Sequence, residues 1–551
     1  MTIGSELRGP RPLRLGVAYD PAALCGWQAL CLSKLAAAEG VELTLLAAPT
    51  PRQGGRLWRA FSRRMARRSQ ALAPAALPVQ VSSAPAAGLA DAAPHLDAIL
   101  CLAPCAAEAL RAVAPLGALA PRYGVWAFRF GPDGAWDRAH PAAWEIIHDE
   151  LLLGASLQRL PDAHGGGRVL RSGCARILRA SFSASADAAL AMCAAWPAQA
   201  CNDIRYGHSD RWPVAPAVAD LRGAPGDLQT IRLNLMLGLN ALRELAARTM
   251  LPRWNIGVVE QPIARFLEPG FVPVIRWLPL ARGVFRADPF GVAQPGRMTI
   301  LCEHLDYCDS VGELRALEVA DGRILSERVI LPSPGHCSYP YLFCHNGRTY
   351  CIPEMLDTDE IALYRAESFP HAWAKAATLV TGFKGGDATV FQHEGRWWLL
   401  ANDSGQRMDH SLYAWYADNL FGPWTPHLNN PIKTDVRSSR PAGAPFVHQG
   451  RLIRPAQDCA LRYGHRVALN HITRLTPTDF AEETLAVVGP YAGPFSAGMH
   501  TLSAAGDATL VDGLSYFFFA ADPRQLLHGL RRIPHIVRSL WSKDEHAFSS
   551  H

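Results

Sequence analysis

No stretch of this 551-residue sequence reaches ~18 uninterrupted apolar residues, so no bilayer-crossing helix is expected. The opening, MTIGSELRGPRPLRLGVAYD, lacks the basic, apolar, small-residue order of a secretory signal. It runs almost at once into a strand-like segment, which sets the expectation of a cytoplasmic protein. The 13 cysteines are odd in number, scattered and never spaced CxxC, so neither a disulfide framework nor a structural zinc site is supported, and no metal or cofactor is expected. Charge of one sign is also scarce. The net +5 is modest for this length and much of it sits in Arg52 to Arg68 and Arg524 to Arg538, so no nucleic-acid partner is implied.

What is present points to more than one domain, because 551 residues exceed what a single core usually supports. RLGVAYD from Arg14 reads as a strand, ALCGWQALCLSKLAAAEG as an apolar-periodic helix closed by Gly40, and VELTLLAAP as a second strand. LDAILCLAP adds a buried strand, and a parallel α/β sheet is the natural solution. The division expected is an α/β domain over residues 1–200, a helical connector over 201–255, an all-β repeat region over 256–520 and a basic tail over 521–551. A long helix from Asp227 to Met250, with leucines on broad apolar faces, is read as the connector, packing on one or both neighbours. PRQGGRLWRAFSRRMARRSQ sets Leu57, Trp58, Phe61 and Met65 among arginines, and LLHGLRRIPHIVRSLW repeats the theme near the C-terminus. Each is either a packed surface segment or a peripheral membrane contact.

The run YGVWAFRFGPDG followed by PAAWEIIHDELLLGASLQRLPDAHGGGRVL resembles the Rossmann-like formyltransferase domain of methionyl-tRNA and sugar N-formyltransferases, over roughly residues 12–200. That resemblance implies an Asn, a His and an Asp activating an amine. Here the position of the His reads Phe128, Arg129, Phe130, Gly131, and the region of the Asp reads His164, Gly165, Gly166, Gly167. An arginine stays protonated and cannot act as general base, so the domain is expected to be inactive, a scaffold or partner-binding unit. Asp133, Glu145 and Asp162 are its remaining polar candidates.

The most informative pattern is a repeat. DPFGVAQPGRMTILCEHLD, YPYLFCHNGRTYCIPEM, DATVFQHEGRWWLLAND, AGAPFVHQGRLIRPAQD and MHTLSAAGDATLVDG each read as a hairpin whose turn holds Gly296, Gly347, Gly395, Gly450 or Gly506. Separations of 51, 48, 55 and 56 residues suit the four-stranded blades of a five-bladed β-propeller. Seven residues beyond each glycine stand Glu303, Glu354, Asn402, Gln457 and Gly513, the last preceded by Asp512. Eight residues before stand Asp288, Tyr339, Asp387, Ala442 and Gly498. Inner-strand ends crowd round a propeller's central funnel, so a polar site the size of a sugar is expected there.

Asp288, Glu354 and Asp387 come from three successive blades. Sharing one funnel, they would raise one pKa by repulsion and leave a protonated acid beside an ionised base, the pair glycosidic chemistry needs. The alternative is that they cap strands or pair with Arg440 and Arg454. Glu303, His336, Tyr339, Arg437, Arg440, Arg454, Gln457, Asp458, Tyr463 and His500 are the candidate substrate-binding groups, and the arginines favour a phosphate or carboxylate on the ligand.

The stretches SYPYLF, GRTYCIPE, GGDATVF, LFGPWTPHLNNP, SSRPAG, RLIRPAQD, RYG and GMHTL together resemble the N-terminal domain of glucosamine inositolphosphorylceramide transferases, from about Trp254 to Tyr516. That domain is similar to the five-bladed propellers of glycoside hydrolase family 43, and ADPF around Asp288 matches their first-blade Asp. The resemblance implies a base at Asp288 and an acid at Glu354. The expected function is a carbohydrate-active protein of surface polysaccharide or glycolipid metabolism, transferring or hydrolysing a glycosyl unit, with a carbohydrate, nucleotide-sugar or glycolipid substrate. The rivals are a glycan- or nucleotide-sugar-binding module without bond chemistry, and a sugar N-formyltransferase.

Overall fold

The computed structural model describes residues 11–518 except 50–53, 82–85, 88, 104–105, 132–140, 162–165, 217–222, 248, 309–310, 334, 356 and 406–408. Asp133, Asp162, His164 and the basic C-terminal tail lie outside the described residues. The chain divides into two compact units, Met1–Glu244 and Leu245–His551.

The first unit is a seven-stranded mixed sheet in the order Ala86–Ala87, Val41–Ala47, Leu13–Tyr19, Ala98–Cys101, Val125–Phe130, Leu152–Arg159, Arg168–Arg176. The first five strands are parallel, and the last two pair antiparallel. That departs from the wholly parallel sheet expected. The connection 160–167 is too short for a crossover, and only antiparallel neighbours can use it. Both faces are covered, because strand alternation sends Leu15 and Val17 into one apolar cluster and Ala18 into another. The basic helix Arg56–Ala66 lies against the first cluster: Trp58, Phe61 and Met65 are buried, with Trp58 and Phe61 stacked at 5.6 Å. The apolar face that a membrane contact would use is thus turned into protein. Phe128 and Phe130 are buried in the same cluster, beside Trp27 and Trp196.

The long helix Asp227–Ala247 belongs with this unit along most of its length. Thr230, Leu233 and Asn240 are its buried side chains. Asn240 Nδ2 donates to Arg179 O at 3.3 Å, and Arg243 Nη1 stands 3.5 Å from Asp149. Leu228, Ile231, Leu235, Leu239, Leu242 and Leu245 are exposed. The connector was expected to bury its leucines on one or both neighbours; only one face is used that way.

The second unit is a five-bladed propeller. Blade 1 holds Val284–Gln294, Arg297–Asp306, Gly312–Ala320 and Arg323–Leu331, and blade 2 Cys337–His345, Arg348–Met355, Glu360–Ser368 and Ala372–Thr381. Blade 3 is built on Gly385–His393, Arg396–Asp403 and Ser411–Ala417, blade 4 on Phe446–His448, Arg451–Asp458, Arg466–Leu475 and Phe480–Val488. Blade 5 joins the two ends of the unit: Leu502–Ala505 and Ala508–Phe518 pair onward to Met250–Val259 and Arg276–Trp277. The five repeat glycines all take positive φ, between 63° and 78°. In three of the turns the residue before also does, Asn346, Glu394 and Gln449, giving the two-residue hairpin with both central residues left-handed.

Candidate functional site: the propeller centre

The first three blades carry the same irregularity on their innermost strands. Register shifts fall between Ala287 and Phe290, Ser338 and Tyr341, and Gly386 and Thr389. Inside each shift sits a non-glycine residue with positive φ: Asp288 at 52°, Tyr339 at 43° and Asp387 at 49°. Such backbone is rare for these residue types and needs support from its surroundings. The support comes from carboxylates one blade back. Asp512 Oδ2 accepts from Asp288 N at 3.3 Å, Asp288 Oδ2 from Tyr339 N at 3.3 Å, and Glu354 Oε2 from Asp387 N at 3.0 Å. Acids of blades 5, 1 and 2 therefore stitch each of those blades to the next.

Two charged networks meet at the centre. In the first, His500 stacks on Trp254 at 4.0 Å and lies between Asp512, 2.5 Å from Nδ1, and Asp288, 3.6 Å from Nε2. Asp512 Oδ1 accepts from the backbone of His500 at 2.8 Å and Thr501 at 3.0 Å, while Thr501 Oγ1 donates to Asp288 at 2.8 Å. Burial pushes the Asp288 carboxyl up, with His500 opposing and Glu303 and Asp512 adding to the rise, to about 6. Burial alone would lower the His500 imidazole, but Asp512 and Asp288 raise it to about 9. At neutral pH the group is an imidazolium between two carboxylates. One atom each from Asp288, His500 and Asp512 lies within 4.8 Å of the others, the spacing of a three-ligand cation site, but the imidazolium already serves as the cation there.

In the second network, Arg440 Nε donates to Asp387 Oδ2 at 2.5 Å, Nη1 to Asp409 at 3.3 Å, and Nη2 stands 3.7 Å from Glu354. Its guanidinium lies over the Tyr463 ring at 4.9 Å. Gln457 Nε2 adds a bond to Asp387 Oδ2 at 2.8 Å, and Ser404 Oγ donates to Glu354 Oε1 at 3.2 Å. Burial raises the Asp387 carboxyl above the usual carboxylate range, with Arg440 opposing. Tyr463 also touches His500, edge to face at 5.3 Å, so the two networks adjoin. His336 pairs with Glu303 at 3.2 Å; burial would lower this imidazole, but Glu303 raises it.

The centre thus gathers Asp288, Glu354, Asp387, Glu303, His336, Tyr339, Arg440, Gln457, Tyr463 and His500. It does not gather Arg437, Arg454 or Asp458. Arg437 pairs with Asp435 at 2.7 Å on the surface. Arg454 is buried inside blade 4, where it binds Glu482 at 2.6 Å and the carbonyls of Ser438 and Ser439. Asp458 pairs with Arg466 at 2.8 Å. Tyr339 is buried, its hydroxyl 3.3 Å from Thr389 Oγ1. Asp512 and Asp409 belong to the networks and escaped the repeat count, Asp512 by one position. Asn402 occupies the equivalent ring position in blade 3, buried, with neither amide atom hydrogen-bonded among the described residues.

The imidazolium makes a pH prediction. His500 is raised from 6.5 to about 9, so its contribution to stability, on the order of 3 kcal/mol, is complete below pH 6.5 and lost as pH rises to about 9. Melting temperature is expected to fall across that window. In His500→Gln the slope should disappear, and an unchanged slope would show that another group titrates.

Residues 281–489 match the family described as glucosamine inositolphosphorylceramide transferase 1, N-terminal. Proteins named glucosamine inositolphosphorylceramide transferase 1 from Arabidopsis thaliana and from Oryza sativa subsp. japonica are each 32% identical over 205 residues, 36% of this chain. The chain spans only 27% of the length of these relatives. Among solved structures, a family 117 glycoside hydrolase from Zobellia galactanivorans, Zg3597, is similar at 13% identity and TM-score 0.30, over 42% of this chain and 85% of that one. CoXyl43, a GH43 β-xylosidase/α-arabinofuranosidase from a compost microbial metagenome, is similar at 12% identity and TM-score 0.31, over 43% and 92%. Residues 281–489 of the propeller are thus similar to the domain at the start of those transferases.

Proposed function

We propose that the propeller handles carbohydrate at its centre and that Asp288 is the general base of a glycosyl transfer or hydrolysis there. The observation that carries this reading is Asp288 itself, a buried carboxylate on strained backbone with a pKa brought to about 6, where it is ionised at neutral pH yet basic enough to accept a proton. The resemblance to a transferase of glucosamine inositolphosphorylceramide supports a glycolipid as acceptor or substrate. A diphosphate is a poorer fit at the centre, since Arg440 is the arginine gathered there and is shared among three acids.

A specific observation also favours the rival, a binding module without bond chemistry. Both oxygens of Glu354 are engaged, by Asp387 N and by Ser404, Asp387 is held by Arg440 and Gln457, and the Asp288 oxygens accept from Tyr339 N and Thr501, so none of the three stands without a protein partner. Incubating the protein with sugar nucleotides, inositolphosphorylceramide and aryl glycosides, and following products by mass spectrometry, separates the two. Turnover that is lost in Asp288→Asn supports the enzyme; binding with no product for any pairing supports the module.

For the first unit, sugar N-formylation is expected to be absent. Phe128 and Phe130 are committed to the core and Arg129 cannot take a proton from an amine. Calorimetric titration with formyl-tetrahydrofolate should give no heat. Binding followed by formylation of an amino-sugar nucleotide would reinstate that unit as the enzyme.

A further inference from the structure

The helix Asp227–Ala247 presents Leu228, Ile231, Leu235, Gly238, Leu242 and Leu245 along one line, with Leu239 beside it. Spacings of 3, 4, 3, 4 and 3 residues are the heptad seam of a helix that packs on another helix. Yet Leu228 is 80% exposed, Leu235 69% and Leu242 66%, while the opposite face, through Leu233 and Asn240, is what holds the helix to its own unit. The six exposed leucine and isoleucine side chains present about 600 Å² of apolar surface, the upper end of the largest patch that a monomer ordinarily leaves open, where such patches are often functional.

We infer that this stripe is a self-association surface, on which the same helix of a second copy of the chain packs antiparallel about a two-fold axis. Three observations favour that occupant. The spacing reads the same from either end, so a two-fold between residues 236 and 237 sets Leu228 against Leu245, Ile231 against Leu242 and Leu235 against Gly238 of the other copy. Such self-complementarity is what a two-fold interface requires. Gly238, where a Cβ would meet nothing within 4 Å, lets the two helices approach closely at the midpoint. Within the helix the charged residues on the seam's flanks are Asp227 and Arg232, of opposite sign, so a second copy meets no like-charge cluster, and the basic rim of a membrane-lying helix is missing. Two stripes together would bury about 1,200 Å², the lower end for a specific pair.

Light scattering coupled to gel filtration on the full chain tests this. The wild type is expected at twice the chain mass at micromolar concentration. Leu235→Glu and Gly238→Lys should each run as monomers with melting temperatures within a degree or two of the monomeric baseline, because both positions are exposed. An equimolar mixture of the two should recover the dimer, since the new carboxylate faces the new ammonium in the antiparallel register. A monomeric wild type overturns the inference, as does a dimer that survives both substitutions. So does a monomer that dimerises only after residues 519–551 are removed, which would make the tail the occupant. Sedimentation of the wild type, but not Leu235→Glu, with phosphatidylserine vesicles would transfer the stripe to a lipid surface.

Discussion

Asp288→Asn is expected to keep ligand binding and to lose turnover by about 10²- to 10⁴-fold, the range associated with a positioned general base. Asn preserves the shape of the site: its single amide oxygen can still accept from Tyr339 N, and its Nδ2 can donate to the Thr501 hydroxyl in place of the bond that Thr501 now gives, so the bulge and its neighbours should stand. What it removes is the basic oxygen. Stability at pH 7 should hold or rise, because the carboxylate it replaces is ionised against its burial, as the upward pKa indicates. Turnover unchanged in Asp288→Asn would sink the base assignment outright. The same substitution strategy at Glu354 is a contrast: Glu354→Gln should leave turnover within about tenfold of the wild type, because that side chain braces Asp387 N and Ser404 and its amide can keep both contacts.

The second large effect is structural. Arg440→Ala removes the cation shared by Asp387, Glu354 and Asp409 in a buried setting and leaves acids uncompensated. Breaking a buried pair from one side costs about 3–5 kcal/mol, and a loss of that size is expected in urea unfolding of the propeller. Adding Asp387→Asn to Arg440→Ala should recover part of the loss, because the pair is then neutralised from both sides. If the double variant is no more stable than Arg440→Ala, the ion pair is not the reason for the loss.

Much of the propeller was legible in the sequence because its signals are local. A glycine at a two-residue turn sets the hairpin register, and counting from it reaches Asp288, Tyr339 and Asp387 on the bulges and Glu354 and Gln457 opposite them. What counting along five hairpins does not supply is direction within a blade. Arg454 lies three residues and Asp458 one residue from Gln457 on one strand, so pleating turns both to the face away from the centre. Parity would have separated them from the true central group. The strand Met250–Val259 was hidden for another reason: its partner, Ala508–Phe518, is some 250 residues away, and no turn announces the pairing. In the first unit the alternating strands were readable, but the switch to antiparallel pairing after Phe130 depends on a connection whose path the residues do not encode locally.

That distant pairing has a consequence for how the molecule comes into being. During synthesis the first four blades can emerge and fold as an open arc, but the ring stays unlatched until about residue 518 has been made, since Ala508–Phe518 must find a strand completed hundreds of residues earlier. The latch also carries Asp512, which fixes Asp288 and His500. A nascent or truncated chain ending before Ala508 would therefore lack both closure and an assembled centre, since one strand supplies the latch and the carboxylate that the central network needs.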